Sequence, residues 1–301
     1  MRTVDIRVPA TSANLGPGFD ALGLALGLHD DVRATLTGER GVHVTVEGEG
    51  AGEVDSGEGH LVVKAMRMAF DRMGVPQPEG IHLHCRNRIP HARGLGSSSA
   101  AVCAGILAAR ALADSELSDG DVYALATEME GHPDNVAPCL AGGLTISWSD
   151  HDGLPHMVKL APDQRIRPVA VVPSTRLSTE AARGLLPKDV PHKDASFNAG
   201  RAALLIAALT RMPERELLLA ATEDRLHQQY RAPAMRASAD LVERLRAVGV
   251  PAVVSGAGPT VLAFSTSDTQ DLIAPEVGND WHIQQMDVDP VGANVQFPET
   301  R

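Results

Sequence analysis

The stretch PHARGLGSSSAAV, Pro90 to Val102, sets three serines behind a Gly-Leu-Gly and runs at once into alanines and aliphatics. A flexible linker does not continue into a helix, and a core helix does not open with so many hydroxyls. The segment therefore reads as a turn delivered to a helix N-terminus. Free N–H groups and a partial positive charge favour an anion there. Glycines let the backbone approach a phosphate chain closely, and serine hydroxyls add donors and can ligate Mg2+. The stretch lacks the Gly-Lys-Ser/Thr ending of a Walker A loop and is not GxGxxG. On local chemistry alone, a capped helix following a turn is the plainer alternative.

Around this junction the pattern is mixed α and β. TVDIRVPA alternates as a strand, and DDVRATLT and GVHVTVEGEG follow across Gly-rich turns, which predicts an antiparallel start. HLVVKAMRMAFDRMGV has helical spacing and stops at Gly74, and GIHLHCRNRI reads as a strand. Helices are predicted over Ser98–Ala113 and after Ser118, then a strand in GGLTISWS. A polar, turn-rich break, SDHDGLPHMVKLAPDQ, divides the chain into lobes of residues 1–154 and 155–301. Beyond it lie the strand IRPVAVVPS and helices in STEAARGLLP, SFNAGRAALLIAALTR, PERELLLAATEDRLHQQYRA and ADLVERLRAVGV. PAVVSGAGPTVLAFS reads as strand, glycine turn, strand, and HIQQMDVDPVGANVQF holds a closing strand.

Composition bounds the chemistry. Hydrophobic residues make up 44% of the 301 residues but aromatics only 3%, so the core is aliphatic. A formal charge of -11 argues against non-specific nucleic-acid binding, while leaving room for a local basic pocket. The three cysteines, Cys85, Cys103 and Cys139, form no CxxC and are odd in number, which argues against a disulfide framework or zinc ribbon. Cys103 and Cys139 read as packing residues. His82 and His84 share a strand face with metal-like spacing, but no further ligands are evident, and exposed strand histidines are the simpler reading. No stretch approaches the roughly 18 apolar residues of a membrane span, and the first residues carry no apolar run, so a cytoplasmic protein that binds neither membrane nor nucleic acid is expected.

Three stretches together go further. VPATSANLGPGFDALGLAL (Val8–Leu26), the serine stretch, and VVSGAGPTVLAFS (Val253–Ser265) resemble the three signature motifs of the GHMP kinases. PATSANLGPGFDALGLAL, EGHPDNVAPCLAGGLT, VVPSTRLSTEAARGLLP and HQQYRAP are similar to the homoserine kinase family within that superfamily, and the likeness spans nearly the whole chain. The resemblance implies an α+β, two-lobed GHMP kinase fold with the active site in the cleft between lobes. It implies transfer of the γ-phosphoryl of ATP to the side-chain hydroxyl of L-homoserine, on the route to threonine. Family members are often homodimers, and that assembly is carried over as an expectation.

The same resemblance assigns residues. The nucleotide falls on Pro90, Arg93, Gly94, Leu95, Gly96, Ser97, Ser98, Ser99 and Ala100. Arg93 either adds charge near the phosphates or faces water. Mg2+ falls on Ser98 and an acidic residue, Glu130 in preference to Glu128. The amino acid falls on Asn14, Asp20, His132, Asn135, Arg183 and Arg231, with Thr179 able to add a hydroxyl. Physical sense supports the set: two guanidinium groups suit an α-carboxylate, and a carboxylate suits the α-ammonium. Asn135, or Asn14, can hold the acceptor hydroxyl. Phosphoryl transfer through a loose transition state needs mostly positioning and charge stabilisation, so Asp134 is expected to orient its loop rather than take a proton. His227 either supports Arg231 or is an ordinary helix position. Lys64, in a stretch where the family contacts the base, reads as a solvated helix residue. Gly256 and Gly258 are expected to bring the third motif close to the phosphate loop.

Overall fold

The computed structural model describes residues 2–298. Strands β1 (Arg2–Ala13), β2 (Leu22–Thr37), β3 (Gly41–Gly48), β4 (Gly80–Asn87), β5 (Leu144–Ser149) and β6 (Pro155–Leu160) build a first sheet. Strands β7 (Arg167–Pro173), β8 (Ala252–Val254), β9 (Val261–Ser265) and β10 (Trp281–Gln285) build a second, in the order β10-β7-β9-β8. The last strand, β11 (Asn294–Gln296), returns to the first sheet and pairs with β1. The helices are α1 (Leu61–Met73), α2 (Ser97–Ala113), α3 (Asp119–Glu130), α4 (Val136–Ala141), α5 (Thr179–Arg183), α6 (His192–Thr210), α7 (Arg215–Ala221), α8 (Gln228–Arg231) and α9 (Arg236–Ala247).

Local chemistry accounts for the element ends. Gly74 closes α1 at φ +65°, and Ser118 opens α3 with a reciprocal cap in which its hydroxyl and the Asp121 carboxylate each serve the other's backbone N–H. Helix α2 is buried on nearly every side, which its small and aliphatic residues permit; it packs between β1 and the helices α1 and α3. The main core runs from β1, β2 and α2 into α6, α7 and the inner strands of the second sheet, so the two lobes share one hydrophobic interior.

Four sequence expectations change. The strand after DDVRATLT does not continue the antiparallel hairpin: β3 lies parallel to β4, reached through α1, the long crossover that a parallel pair requires. The polar break contains β6, an alternating edge strand antiparallel to β5. We propose on this basis that the boundary between lobes is better placed at residues 161–166, between the two sheets, than at residue 154. The single helix expected across PERELLLAATEDRLHQQYRA is two, because the buried Asp224 carboxylate accepts from Leu226, His227 and Gln228 N–H, which starts α8 anew. The closing segment is likewise two strands, one in each sheet.

Candidate active site

The serine stretch opens α2 as a turn with two left-handed glycines, Gly94 at φ 76° and Gly96 at φ 71°; Gly96 is the residue before the first helical turn. Neither tolerates a side chain: a Cβ on Gly94 would come 2.2 Å from Ser255 O, and one on Gly96 1.9 Å from Thr11 Oγ1. No side chain caps the helix, so its first N–H groups stay open. They border a cavity of about 600 Å³ lined by Gly94, Gly96, Ser97, Ser98, Ser99, Glu130, His132, Asp134 and Asn135 from the first lobe. Thr179, Arg183, Arg231 and Gly256 line it from the second, with Asn14 at the junction.

The acidic side is ordered by the serines. Ser98 Oγ and Ser99 Oγ each donate to one oxygen of Glu130, both at 2.5 Å. Glu128 instead pairs with Arg72 at 2.5 Å on the surface, so of the two glutamates only Glu130 faces the loop. Asp134, 2% exposed, hydrogen-bonds His132 Nδ1 at 2.7 Å. Burial pushes the His132 imidazole toward neutrality, but the hydrogen bond and charge of Asp134 outweigh it and raise its pKa. The structure thus places Asp134 as a partner of His132, in line with an orienting role.

The basic side comes from the second lobe. Arg183 donates to both oxygens of Asp20, at 2.7 and 3.1 Å. Arg231 is 1% exposed; its Nη1 reaches Gly256 O at 3.2 Å and His227 Nδ1 at 3.2 Å, and its Nε has no partner among the described residues. His227 is wholly buried and bonded at Nε2 to Gly16 O at 2.8 Å, so it supports Arg231 rather than standing as an ordinary helix residue. The Phe19 ring lies under both guanidinium groups, 5.9 Å from Arg183 and 5.5 Å from Arg231. Burial and the nearby Arg183 lower the Arg231 pKa.

Not every expected residue faces the cavity. Arg93 spends its guanidinium on Pro173 O, His91 O and Ser174 O, tying the loop to β7 rather than charging the phosphate site. Leu95 is a core residue, and Pro90 lies outside the cavity lining. Asp20 reaches the site only through Arg183. Asn14 has both ends of its amide engaged: Oδ1 accepts from Asp20 N at 3.0 Å and Nδ2 donates to Gly256 O at 2.9 Å. Ala100 lines an adjoining cavity of about 390 Å³ with Val8, Val32, Val54, Leu61, Val62, Ser97 and Ser98. That cavity also presents Asp30, which sequence reasoning missed, and His60, the first residue of the stretch His60–Met66 that the resemblance sets near the base; His60 Nδ1 is buried without a partner among the described residues. Burial raises the Asp30 carboxyl to about 6, against two backbone N–H bonds that pull it down. His84 meets only Glu47, His82 packs on the His43 ring, and among the described residues no three His, Cys, Asp or Glu side chains gather as a metal site. Lys64 is exposed.

Comparison with known proteins gives the family. The GHMP kinases N terminal domain matches residues 60–143 and the GHMP kinases C terminal domain residues 202–283. A homoserine kinase of Streptomyces coelicolor is 56% identical over 97% of this chain and 94% of its own length. The chain belongs to the homoserine kinase family of the GHMP kinases. A Clavibacter michiganensis homoserine kinase is 52% identical over 98% of this chain and 94% of its own. The crystal structure of a Cytophaga hutchinsonii homoserine kinase superposes with a TM-score of 0.84 at 26% identity, covering 98% of both chains. The fold is the GHMP kinase fold, mixed α+β. Membership of this family makes the chain an ATP-dependent phosphotransferase. Among the described residues no helix is long and apolar enough to cross a membrane.

Proposed function

We propose that the main cavity holds L-homoserine against the γ-phosphate of ATP. The observation that carries this reading is the meeting, across one cavity, of an open helix N-terminus with Arg183 and Arg231, Arg183 being paired behind the wall with Asp20. The phosphates rest on the amides of Gly96–Ser99. The adjoining aliphatic cavity takes the nucleoside. The α-carboxylate of the acceptor lies against Arg183 and Arg231, its ammonium against Asp20, and its hydroxyl beside Asn135 and His132.

The Asp20–Arg183 pair sharpens the acceptor class. Each partner already satisfies the other, so an entering ligand must replace both halves. A zwitterion brings a carboxylate for Arg183 and an ammonium for Asp20. An acid such as mevalonate brings only the first and leaves Asp20 unpaired, which selects against it.

Mg2+ fits the donor set. Carboxylate and hydroxyl oxygens are the hard donors it prefers, and it is usually held by one or two protein groups plus substrate phosphates rather than by a closed cage. Glu130 and Ser98 would hold it, their mutual hydrogen bond marking where their oxygens converge. Once bound, the ion neutralises charge on the β- and γ-phosphate oxygens.

The acceptor hydroxyl oxygen attacks the γ-phosphorus; the new O–P bond forms as the bond to the β–γ bridging oxygen breaks, and ADP leaves. The hydroxyl proton passes late to a phosphoryl oxygen and then to water, which requires no committed base. Asp134 holds His132 in place throughout. The three buried, unpaired cysteines support a reducing, cytoplasmic setting.

The test is ADP release from the purified protein with Mg-ATP, compared across L-homoserine, L-threonine, L-serine and mevalonate. Turnover with L-homoserine well above the others is the expected result. Equal turnover with mevalonate would discard the zwitterion reading.

A further inference from the structure

One residue of the first motif joins the phosphate loop to the acceptor side, and it stood outside every assignment made from sequence. Thr11 lies in β1 and is wholly buried. Its backbone N–H donates to Leu95 O, in the glycine turn, at 3.0 Å. Its hydroxyl donates to Asn135 Oδ1 at 2.8 Å. The same hydroxyl is packed onto the backbone of Gly96, where a Cβ would approach it to 1.9 Å.

The consequence concerns which end of the Asn135 amide faces the substrates. A threonine hydroxyl can donate or accept, and in this arrangement it donates to the amide oxygen. Oδ1 is thereby turned toward β1. The two N–H groups of Nδ2 have no partner among the described residues, and they are the end left for the cavity that Asn135 lines. An amide fixed this way can only donate. It meets an oxygen lone pair, on the acceptor hydroxyl or the γ-phosphoryl group, and cannot take a proton from either.

We propose that Thr11 is a positioning residue for phosphoryl transfer: its hydroxyl anchors the Asn135 amide to β1 with Oδ1 turned inward, which leaves the N–H groups for the reacting oxygens. Because that hydroxyl also sits on Gly96, the donor is held at a set distance from the phosphate loop. Without it the amide is free to turn over and present its carbonyl oxygen to the phosphoryl group. The inference rests on the reading of Asn135 as a substrate contact given above.

A double-mutant cycle tests it, with kcat read at saturating Mg-ATP and L-homoserine and each KM read by varying one substrate while the other saturates. Thr11→Val, which keeps the shape and removes the hydroxyl, should lower kcat about 10- to 100-fold, the order seen when one transition-state donor is lost. The two KM values should stay within about threefold, and Thr11→Ser should restore most of kcat. In an Asn135→Ala background, Thr11→Val should cost no more than about twofold, because the group it positions is gone. If Thr11→Val slows Asn135→Ala as much as it slows the natural enzyme, the hydroxyl acts elsewhere and the proposal falls while the reading of Asn135 stands. If Asn135→Ala alone costs nothing, both fall together. Should Thr11→Val fail to fold by circular dichroism, Thr11→Ala enters the same cycle with the same two outcomes.

Discussion

Arg231 concentrates the chemistry of the site in one side chain. Its charge is buried, half-paired to neutral groups, and left with an unpartnered Nε. Such a guanidinium waits for an anion. Arg231→Ala should raise the KM for L-homoserine tenfold or more, since losing one partner of a buried charge pair costs about 2–5 kcal/mol. The KM for ATP should change by less than about threefold; comparable rises in both would remove Arg231 from the acceptor side. Asp30 is the opposite case, a carboxyl that burial makes reluctant to ionise. Its folded pKa of about 6 lies above the ordinary 3.8, so the folded protein keeps a proton that the unfolded chain has lost. The stability this group contributes is full below pH 4 and is lost as pH rises through 6. Asp30→Asn keeps an acceptor for the Arg88 and Ile89 N–H groups without that loss. It should therefore gain on the order of 2 kcal/mol in urea unfolding at pH 8, with the gain fading as pH falls through 6 toward 4. A gain that does not vary with pH would mean that the charge is not its source.

At the scale of elements, the first motif acts as a fastener. Thr11 ties to Asn135 at the start of α4, Ser12 to Ser255 in the β8–β9 turn, and Asn14 to Gly256 in the same turn. Asn14 and Asp20 both sit in the left-handed region, at φ 67° and 55°, a conformation that persists only where surrounding bonds demand it. The turn between β4 and α2 is equally exacting. Gly96→Ala would place a methyl against Thr11 Oγ1 in a left-handed backbone, and it should abolish nucleotide binding by calorimetry even where the protein still folds. Retained affinity would show that the loop can shift to accommodate the methyl. Much of the fold was legible in sequence, because chemistry is local there: the serine-led helix, the Gly74 stop and the Ser118 cap all follow from neighbours in the chain. What escaped depends on distant partners. Thr11 drew no assignment because its partner Asn135 lies 124 residues away, and Arg93, left open between the phosphates and water, meets the carbonyl oxygens of Pro173 and Ser174 instead. The α7–α8 break was missed because one buried aspartate outweighs a helical pattern that is otherwise continuous.

For the whole molecule, site and stability are not separable by lobe. The phosphate loop belongs to the first sheet and the arginines to the second half of the chain, yet one core underlies both, with Leu205, Leu209, Val253 and Phe264 in the cluster that holds β1 and α2. In a chain of formal charge −11, the cavity wall sets Arg183 and Arg231 from the second lobe opposite Glu130 and Asp134 from the first.

The return of β11 to the edge of β1 carries one last implication. Asp5 faces Gln296 across an antiparallel ladder, so both extremities of the fold leave from one rim. A bridge of about five flexible residues would span them, and new ends could be opened at the solvent-facing Asp150–Leu154 turn. Such a circular permutant should still assemble and turn over substrate; an insoluble or inactive product would show that the original chain order matters to folding beyond the contacts it finally makes.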